Sequence, residues 1–422
     1  MAKTNIFHLV SLGCAKNTVD SDSMAQLLMR DGYRGTEDPQ KADVLIVNTC
    51  GFIGPAKDES FEVLRELAEI KRDGQLLIAA GCLTQRYGAE VAQKVPGIDG
   101  VLGTRRWMDI VQVVRELRKE SHPQPLYHLP SEAETVGTDE RSTLRASVAG
   151  ASAYLKVADG CRRPCAFCAI PLIKGTAISR PVETILDEAR RLRDAGVREL
   201  MLIAQDTTDY GHDLGMKDGL AILLERLVDE VANDNPRPNP SPSGREARGD
   251  GLDWIRIMYA YPGYVTDRLI DVMAERKQIL SYLDMPLQHA HPKTLYRMRR
   301  PSNIDWVHKT LAKMRTKIPN LSIRTTFIVG YPGETDEEYQ ALVDFVEEIR
   351  FDRVGTFQFS FEEGTTSAPL GDPVPAAVKQ ERFEHLMELQ QGISMQINQS
   401  YVGKTLDVLV EGFDNGISVG RS

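Results

Sequence analysis

The chain has 422 residues, of which 42 % are hydrophobic and 26 % charged, and its formal net charge is −9 with a pI of about 5.5. This is the balance of a soluble globular protein of two or three domains; an acidic chain disfavours a phosphate backbone as partner and suits a basic one. The N-terminus lacks the long apolar region of a signal peptide, and no stretch approaches the roughly 18–20 apolar residues that span a bilayer, so the cytoplasm is expected and a membrane partner is not.

Residues 6–12 are short and apolar like a strand, and 20–30 carry helical periodicity. Residues 42–49 (ADVLIVNT) form a nearly continuous apolar run, as in a strand buried on both faces. A patterned helix at 56–72, a short strand at 76–80 and a helix at 108–119 follow. Strands alternating with helices predict an α/β fold with a parallel, doubly wound sheet. Residues 121–150 are polar and contain proline, and read as a linker with room for a hairpin.

From 152 the alternation restarts. Strands are expected at 153–158, 199–204, 254–258, 279–283, 323–329 and 354–359, with helices at 182–195, 220–232, 266–275, 304–317 and 336–349. Six βα units predict an incomplete barrel. The stretch 233–251 (NDNPRPNPSPSGREARGDG) is rich in Pro, Ser, Gly and charge and reads as a flexible insertion of unassigned role. A last helix, 376–397, leads to two strand-like pieces at 404–411 and 416–420, which together make no independent domain. The chain looks cut off partway through a third, β-rich module.

Six cysteines remain to be explained. In the cytoplasm thiols stay reduced, and a chain of this size buries a core without staples. Buried bystanders, zinc ligands and iron–sulfur ligands are the alternatives. Cys161, Cys165 and Cys168 lie in GCRRPCAFC with three and then two residues between them, in one loop after a predicted strand. A four-iron cluster usually takes four thiolates, so three leave one iron open to another molecule. Zinc would need a fourth ligand, and neither His nor another Cys stands nearby in sequence.

Cys14, Cys50 and Cys82 are far apart, but each falls just past a predicted strand: HLVSLGC, VLIVNTC and LIAAGC. In an open parallel sheet, ligands collect at the carboxyl ends of the strands. Three adjacent strands would bring these thiols to one place as a second three-thiolate site. The competing reading is three small buried hydrophobes.

CRRPCAFC, with Phe167 just before its last Cys, resembles the radical S-adenosylmethionine (SAM) signature. SLGCAKNTVDSD, NTCGFIGPAKDES and AAGCLTQRY resemble the N-terminal cluster domain of the methylthiotransferases. CAFCAIPLIKGTAISRP, IAQDTTDYG, MPLQHA with LYRMRRP, and TTFIVGYPGET look like the RimO branch, which modifies an aspartate of small-subunit ribosomal protein number twelve. The resemblance covers roughly residues 5–400. It implies an N-terminal cluster domain at 1–125, a linker at 126–150, a radical SAM domain at 151–385, and a linking helix with an incomplete TRAM domain at 386–422.

The resemblance further implies two 4Fe–4S clusters and SAM as cofactors. The Cys161, Cys165 and Cys168 cluster would reduce SAM to a 5′-deoxyadenosyl radical that takes hydrogen from the β-carbon of the aspartate. The Cys14, Cys50 and Cys82 cluster would supply sulfur, methylated by a second SAM. Phe167 would lie beside the adenine, Gln205 and Asp206 near the methionine part, and Arg324 on the SAM carboxylate, which its fork fits. The turn Gly330, Gly333 and Glu334 (GYPGE) would let backbone approach the nucleoside. Each has a plainer alternative: packing for Phe167, turn capping for Gln205 and Asp206, an ordinary ion pair for Arg324, and a helix entry capped by Thr335 for GYPGE. An electron donor such as a flavodoxin or ferredoxin is implied; the sulfur donor is not legible.

Two rival functions remain. One is methylthiolation of a transfer RNA adenosine. From Glu381 to the end, Glu381, Glu384, Glu388, Asp407, Glu411 and Asp414 oppose Arg382, Lys404 and Arg421, six negative against three positive, a net of −3. That favours a basic ribosomal protein over a nucleic acid as substrate. The other rival, an iron–sulfur carrier or redox sensor, explains the cysteines but not the six βα repeats.

Overall fold

The computed structural model describes residues 5–119, 124–129, 141–233 and 251–422; most of the expected insertion and part of the expected linker lie outside them. Two compact units emerge. The first comprises Met1–Ser147, Asp159–Arg163 and Cys168–Ile178, and the second Val148–Ala158, Pro164–Phe167 and Ser179–Ser422.

The first unit is a six-stranded sheet in the order Arg34–Gly35, Ile6–Ser11, Val44–Thr49, Leu76–Gly81, Gly100–Gly103, Leu126–His128, with every pair parallel. Side chains of Val44–Thr49 alternate between two cores, because successive strand residues point to opposite faces. Val44 and Ile46 pack with Met24 and Leu28 of helix Ala15–Arg30 and with Val113 of helix Ile110–Lys119. Leu45 and Val47 pack with Phe61 and Leu64 of helix Gly54–Ile70 and with Val91 of helix Cys82–Lys94. The doubly wound sheet expected from the apolar runs is therefore present. Helix Cys82–Lys94 and strand Gly100–Gly103 were not legible: the helix contains Gly88 and a non-helical Tyr87, and the strand GVLG is too short to show a period.

The second unit carries six parallel strands in the order Arg353–Gln358, Ser322–Val329, Ile279–Asp284, Trp254–Ile257, Glu199–Ile203, Ser152–Lys156. Ala146–Ala149 is a further strand of this sheet, at the point where the chain leaves the first unit. Six parallel strands with intervening helices make the incomplete barrel expected from the repeats. Ser322–Val329 shows how it is lined: Ile323, Thr325, Phe327 and Val329 are buried, while Arg324, Thr326 and Ile328 on the opposite face are only partly so. Phe327 meets Phe345 of helix Asp336–Ile349 edge-on, so the buried face looks toward the helices.

Helix Ala376–Gln399 packs back on this unit through Tyr339 Oη donating to the Arg382 carbonyl and Gln390 Nε2 donating to the Phe351 carbonyl. Leu409–Asp414 and Ile417–Arg421 pair antiparallel as a separate hairpin sheet. Among the described residues no helix is long and apolar enough to cross a membrane.

Candidate metal centres

Strands Ile6–Ser11, Val44–Thr49 and Leu76–Gly81 are neighbours, and Cys14, Cys50 and Cys82 follow their carboxyl ends. The chain leaves the first of these strands for a helix on one face and the second for a helix on the other, so a topological switch point opens between Cys14 and Cys50. The approach is close: a Cβ added to Gly13, whose φ is +89°, would meet Cys50 Cβ at 2.8 Å and Sγ at 2.9 Å.

Local bonds fix each cysteine. Asn17 Nδ2 donates to the Leu12 and Asn48 carbonyls at 2.7 and 3.0 Å, and Asn48 Nδ2 donates back to the Asn17 carbonyl at 2.9 Å, tying the two strand ends. Ser60, fully buried, accepts from the Cys50 N–H at 3.0 Å and donates to the Cys50 carbonyl at 2.9 Å. Thr84 Oγ1 donates to the Gly81 and Leu102 carbonyls at 3.0 and 2.7 Å, anchoring the helix that begins at Cys82.

The thiols differ in environment. Protein packed around Cys14 opposes ionisation, but Lys16, the Asn17 N–H and Lys174 outweigh it and hold the thiol below its ordinary value, although the residue itself is exposed. Burial pushes Cys50 up, and pushes Cys82 up to about 12 against the pull of Lys174. Cys82 packs on Ala169 and Ile173, beside Lys174 in the turn after the second cysteine motif. Among the described residues no three His, Cys, Asp or Glu side chains close on one point as ligands of a single ion do. Three thiols that follow the ends of neighbouring strands suit a multinuclear core, whose irons each take one sulfur.

Lys174, whose charge acts on these thiols, belongs to a buried charge quartet. Arg145 Nη2 meets Asp20 at 2.7 Å and Asp159 at 3.0 Å, and Lys174 Nζ meets the same two carboxylates at 2.8 and 3.5 Å. All four side chains are at most 3 % exposed. Arg145 also stacks over Trp107, 4.5 Å from the ring centroid. Asp20 lies on the helix that Cys14 caps, while Asp159 and Lys174 flank the second cysteine motif on either side. The quartet anchors both roots of that loop to the first unit.

Cys161 and Cys168 belong to the first unit, and Cys165 with Phe167 to the second. The Arg163 N–H donates to Cys161 Sγ at 3.5 Å, and the Cys161 N–H to the Gly175 carbonyl at 3.0 Å. In the second unit the Cys165 thiol donates to Tyr261 Oη at 3.8 Å, and Arg300 Nη1 donates to Cys165 Sγ at 3.6 Å. Phe167, half-buried, packs on the cluster of Met298, Tyr331 and Phe359.

The other expected contacts lie at strand ends of the second unit. Gln205 is half-buried and Asp206 buried, the latter accepting from Thr208 Oγ1 at 2.5 Å. Arg324 pairs with Asp284 at 3.0 Å and keeps 39 % of its side chain exposed on the half-open face. Glu334 is turned inward: its carboxylate accepts from the Gly330 and Tyr331 N–H groups and faces His289 at 3.6 Å, so it closes the GYPGE turn from within. Gly330 and Gly333 both take positive φ there. Thr335 caps the next helix in a complete capping box with Glu338. Arg300, Lys174, Asp20, Arg145 and Asp159 were not singled out by sequence; a charge carries no spacing signal until the fold supplies its partner.

Residues 6–103 match the model described as "Uncharacterized protein family UPF0004", and residues 155–346 match that of the Radical SAM superfamily. The chain is 45 % identical over 436 residues to the ribosomal protein uS12 methylthiotransferase RimO of Roseiflexus sp. (strain RS-1), spanning 99 % of this chain and 88 % of that protein. It is 46 % identical over 431 residues to the protein of the same name from Chloroflexus aurantiacus, spanning 99 % and 90 %. Among solved structures it resembles the radical SAM methyltransferase TsrM from Kitasatospora setae, with a TM-score of 0.59 at 13 % identity over 86 % of this chain and 77 % of that one. At that identity the likeness is one of fold.

Proposed function

Because the chain belongs to the ribosomal protein uS12 methylthiotransferase RimO family, we propose that it attaches a methylthio group to the β-carbon of an aspartate in uS12, a basic small-subunit protein, by radical SAM chemistry. In this reading Cys161, Cys165 and Cys168 hold one 4Fe–4S cluster, and Cys14, Cys50 and Cys82 hold the other. When bound, the clusters and SAM supply the reducing electron, the hydrogen-abstracting radical and the transferable sulfur.

The chain's own residues do the positioning. Ser60, Asn17 and Thr84 hold the backbone at Cys50, Cys14 and Cys82, so the first three thiolates arrive preset. Lys174 sets a positive charge near all three. Phe167 offers an apolar shelf to an adenine, and Gly330 and Gly333 keep the neighbouring backbone free of side chains. Arg324, oriented by Asp284, presents its fork to a carboxylate. Gln205 and Asp206 stand after the end of Glu199–Ile203, near the methionine part in this reading, and Glu334 serves by shaping the turn.

The arrival of three cysteines at the carboxyl ends of three neighbouring parallel strands carries this reading. Charge supports the protein substrate: of the three basic residues after Glu381, Arg382 is paired with Asp336 and Arg421 with Glu199 and Glu411, leaving little positive potential for RNA. A low-potential donor of the flavodoxin or ferredoxin class would deliver the electron, in the cytoplasm where ribosomal proteins are made. The test is to incubate reconstituted enzyme, SAM and dithionite with uS12 and, separately, with transfer RNA, and to read each by mass spectrometry. One methylthio group gained by uS12 is the expected result. A gain by transfer RNA alone overturns the substrate, and failure to release 5′-deoxyadenosine overturns the radical chemistry.

A further inference from the structure

Arg300 is the last residue of the RR pair in LYRMRRP, after helix Pro292–Arg297, and nothing in its sequence context ties it to a cysteine. In the fold it is 8 % exposed. Nη2 donates to the Pro286 carbonyl, the guanidinium plane lies over the Tyr261 ring at 4.1 Å, and Nη1 reaches Cys165 Sγ at 3.6 Å. The Tyr261 hydroxyl lies 3.8 Å from the same sulfur. Once Cys165 is a thiolate it has no proton to give, and the hydroxyl becomes the donor of that pair. A single sulfur thus has a buried permanent cation and a phenol directed at it. Tyr261 is held in turn, its N–H donating to Thr208 Oγ1 at 3.1 Å and its ring meeting Tyr264 edge-on.

We propose that Arg300 is a positioning residue of the radical SAM centre: with Tyr261 it donates to the Cys165 sulfur and raises the potential at which the cluster there accepts one electron. Reduction adds one electron from an external low-potential donor, with no bond made or broken at the protein, so the reduced centre carries one more negative charge. Hydrogen bonds to cluster sulfurs and nearby positive charge favour that more negative state, and a low-dielectric setting strengthens both. The rigid fork matters because stacking and the Pro286 carbonyl fix its orientation, which an ammonium would not reproduce.

The inference rests on the assignment of a four-iron cluster to Cys161, Cys165 and Cys168. The test therefore uses the full chain with Cys14→Ala, Cys50→Ala and Cys82→Ala, in which that cluster alone remains. Its midpoint potential is read by mediated titration with electron paramagnetic resonance, with and without Arg300→Gln, Arg300→Lys or Tyr261→Phe. Arg300→Gln is expected to lower the equilibrium constant for reduction about tenfold, a midpoint about 59 mV lower for one electron. Arg300→Lys is expected to fall between, and Tyr261→Phe to lower the midpoint in the same direction. An unchanged midpoint in Arg300→Gln overturns the inference. If that variant loses iron, Tyr261→Phe decides by the same criterion. Absence of any four-iron signal in the background chain would instead overturn the cluster assignment.

Discussion

Cys82 is buried with its thiol pushed up to about 12, so as a free side chain it stays protonated at neutral pH. A metal held there would replace that proton with positive charge, which would turn a costly buried thiolate into a ligand. The proposed assignment gives the two triads separate duties. Cys165→Ala should abolish release of 5′-deoxyadenosine, whereas Cys50→Ala should leave that release intact and stop methylthiolation, both read by chromatography and mass spectrometry on one reaction. If both variants still methylthiolate, the two-site assignment fails. At the same scale the quartet of Asp20, Arg145, Asp159 and Lys174 is neutral as a set and unbalanced when one member is lost. Asp20→Asn should destabilise the first unit by about 3–5 kcal/mol, seen as a lower urea midpoint. A midpoint equal to that of the parent chain would mean that the two cations find other partners.

Helix starts show how a few residues set an element and how much of that sequence reveals. Thr335 and Glu338 form the box that begins Asp336–Ile349, and both ends of that helix were legible from the pattern. Burial would raise the Glu338 carboxyl, but Arg297, Thr294 and the Thr335 N–H outweigh it and hold it at about 2. A carboxyl depressed on folding contributes stability that is complete above its unfolded value and lost as pH falls through its folded one. Acid titration of the apo chain should therefore show up to about 3 kcal/mol of stability draining between roughly pH 4.5 and 2, and Glu338→Gln should flatten that limb. An identical acid limb in the variant would contradict this.

The first helix was less legible. Its pattern begins at 20, yet the helix begins at Ala15, because Lys16 and Asn17 in its first turn are buried toward the thiol site and carry no apolar signal. The strand before each of Cys14, Cys50 and Cys82 could be placed from apolar runs alone. The residues that lock the cysteines could not, since Ser60 and Thr84 act through backbone atoms of another element.

Over the whole chain, the two alternating βα series and the order of the six cysteines were written in the sequence. The return of residues 159–163 and 168–178 to the first unit was not. That return is held by charges separated by more than a hundred residues, Asp20 with Arg145 and Lys174, and no local period encodes such pairing. The consequence is functional: the roots of the radical SAM loop are part of the same body as Cys14, Cys50 and Cys82. Both thiolate sets should therefore load in one folded chain. The most direct measurement is the iron and acid-labile sulfide content of anaerobically purified and reconstituted protein. About eight irons per chain is the predicted result, from two four-iron clusters. About four irons, unchanged by removing Cys14, Cys50 and Cys82, would contradict it.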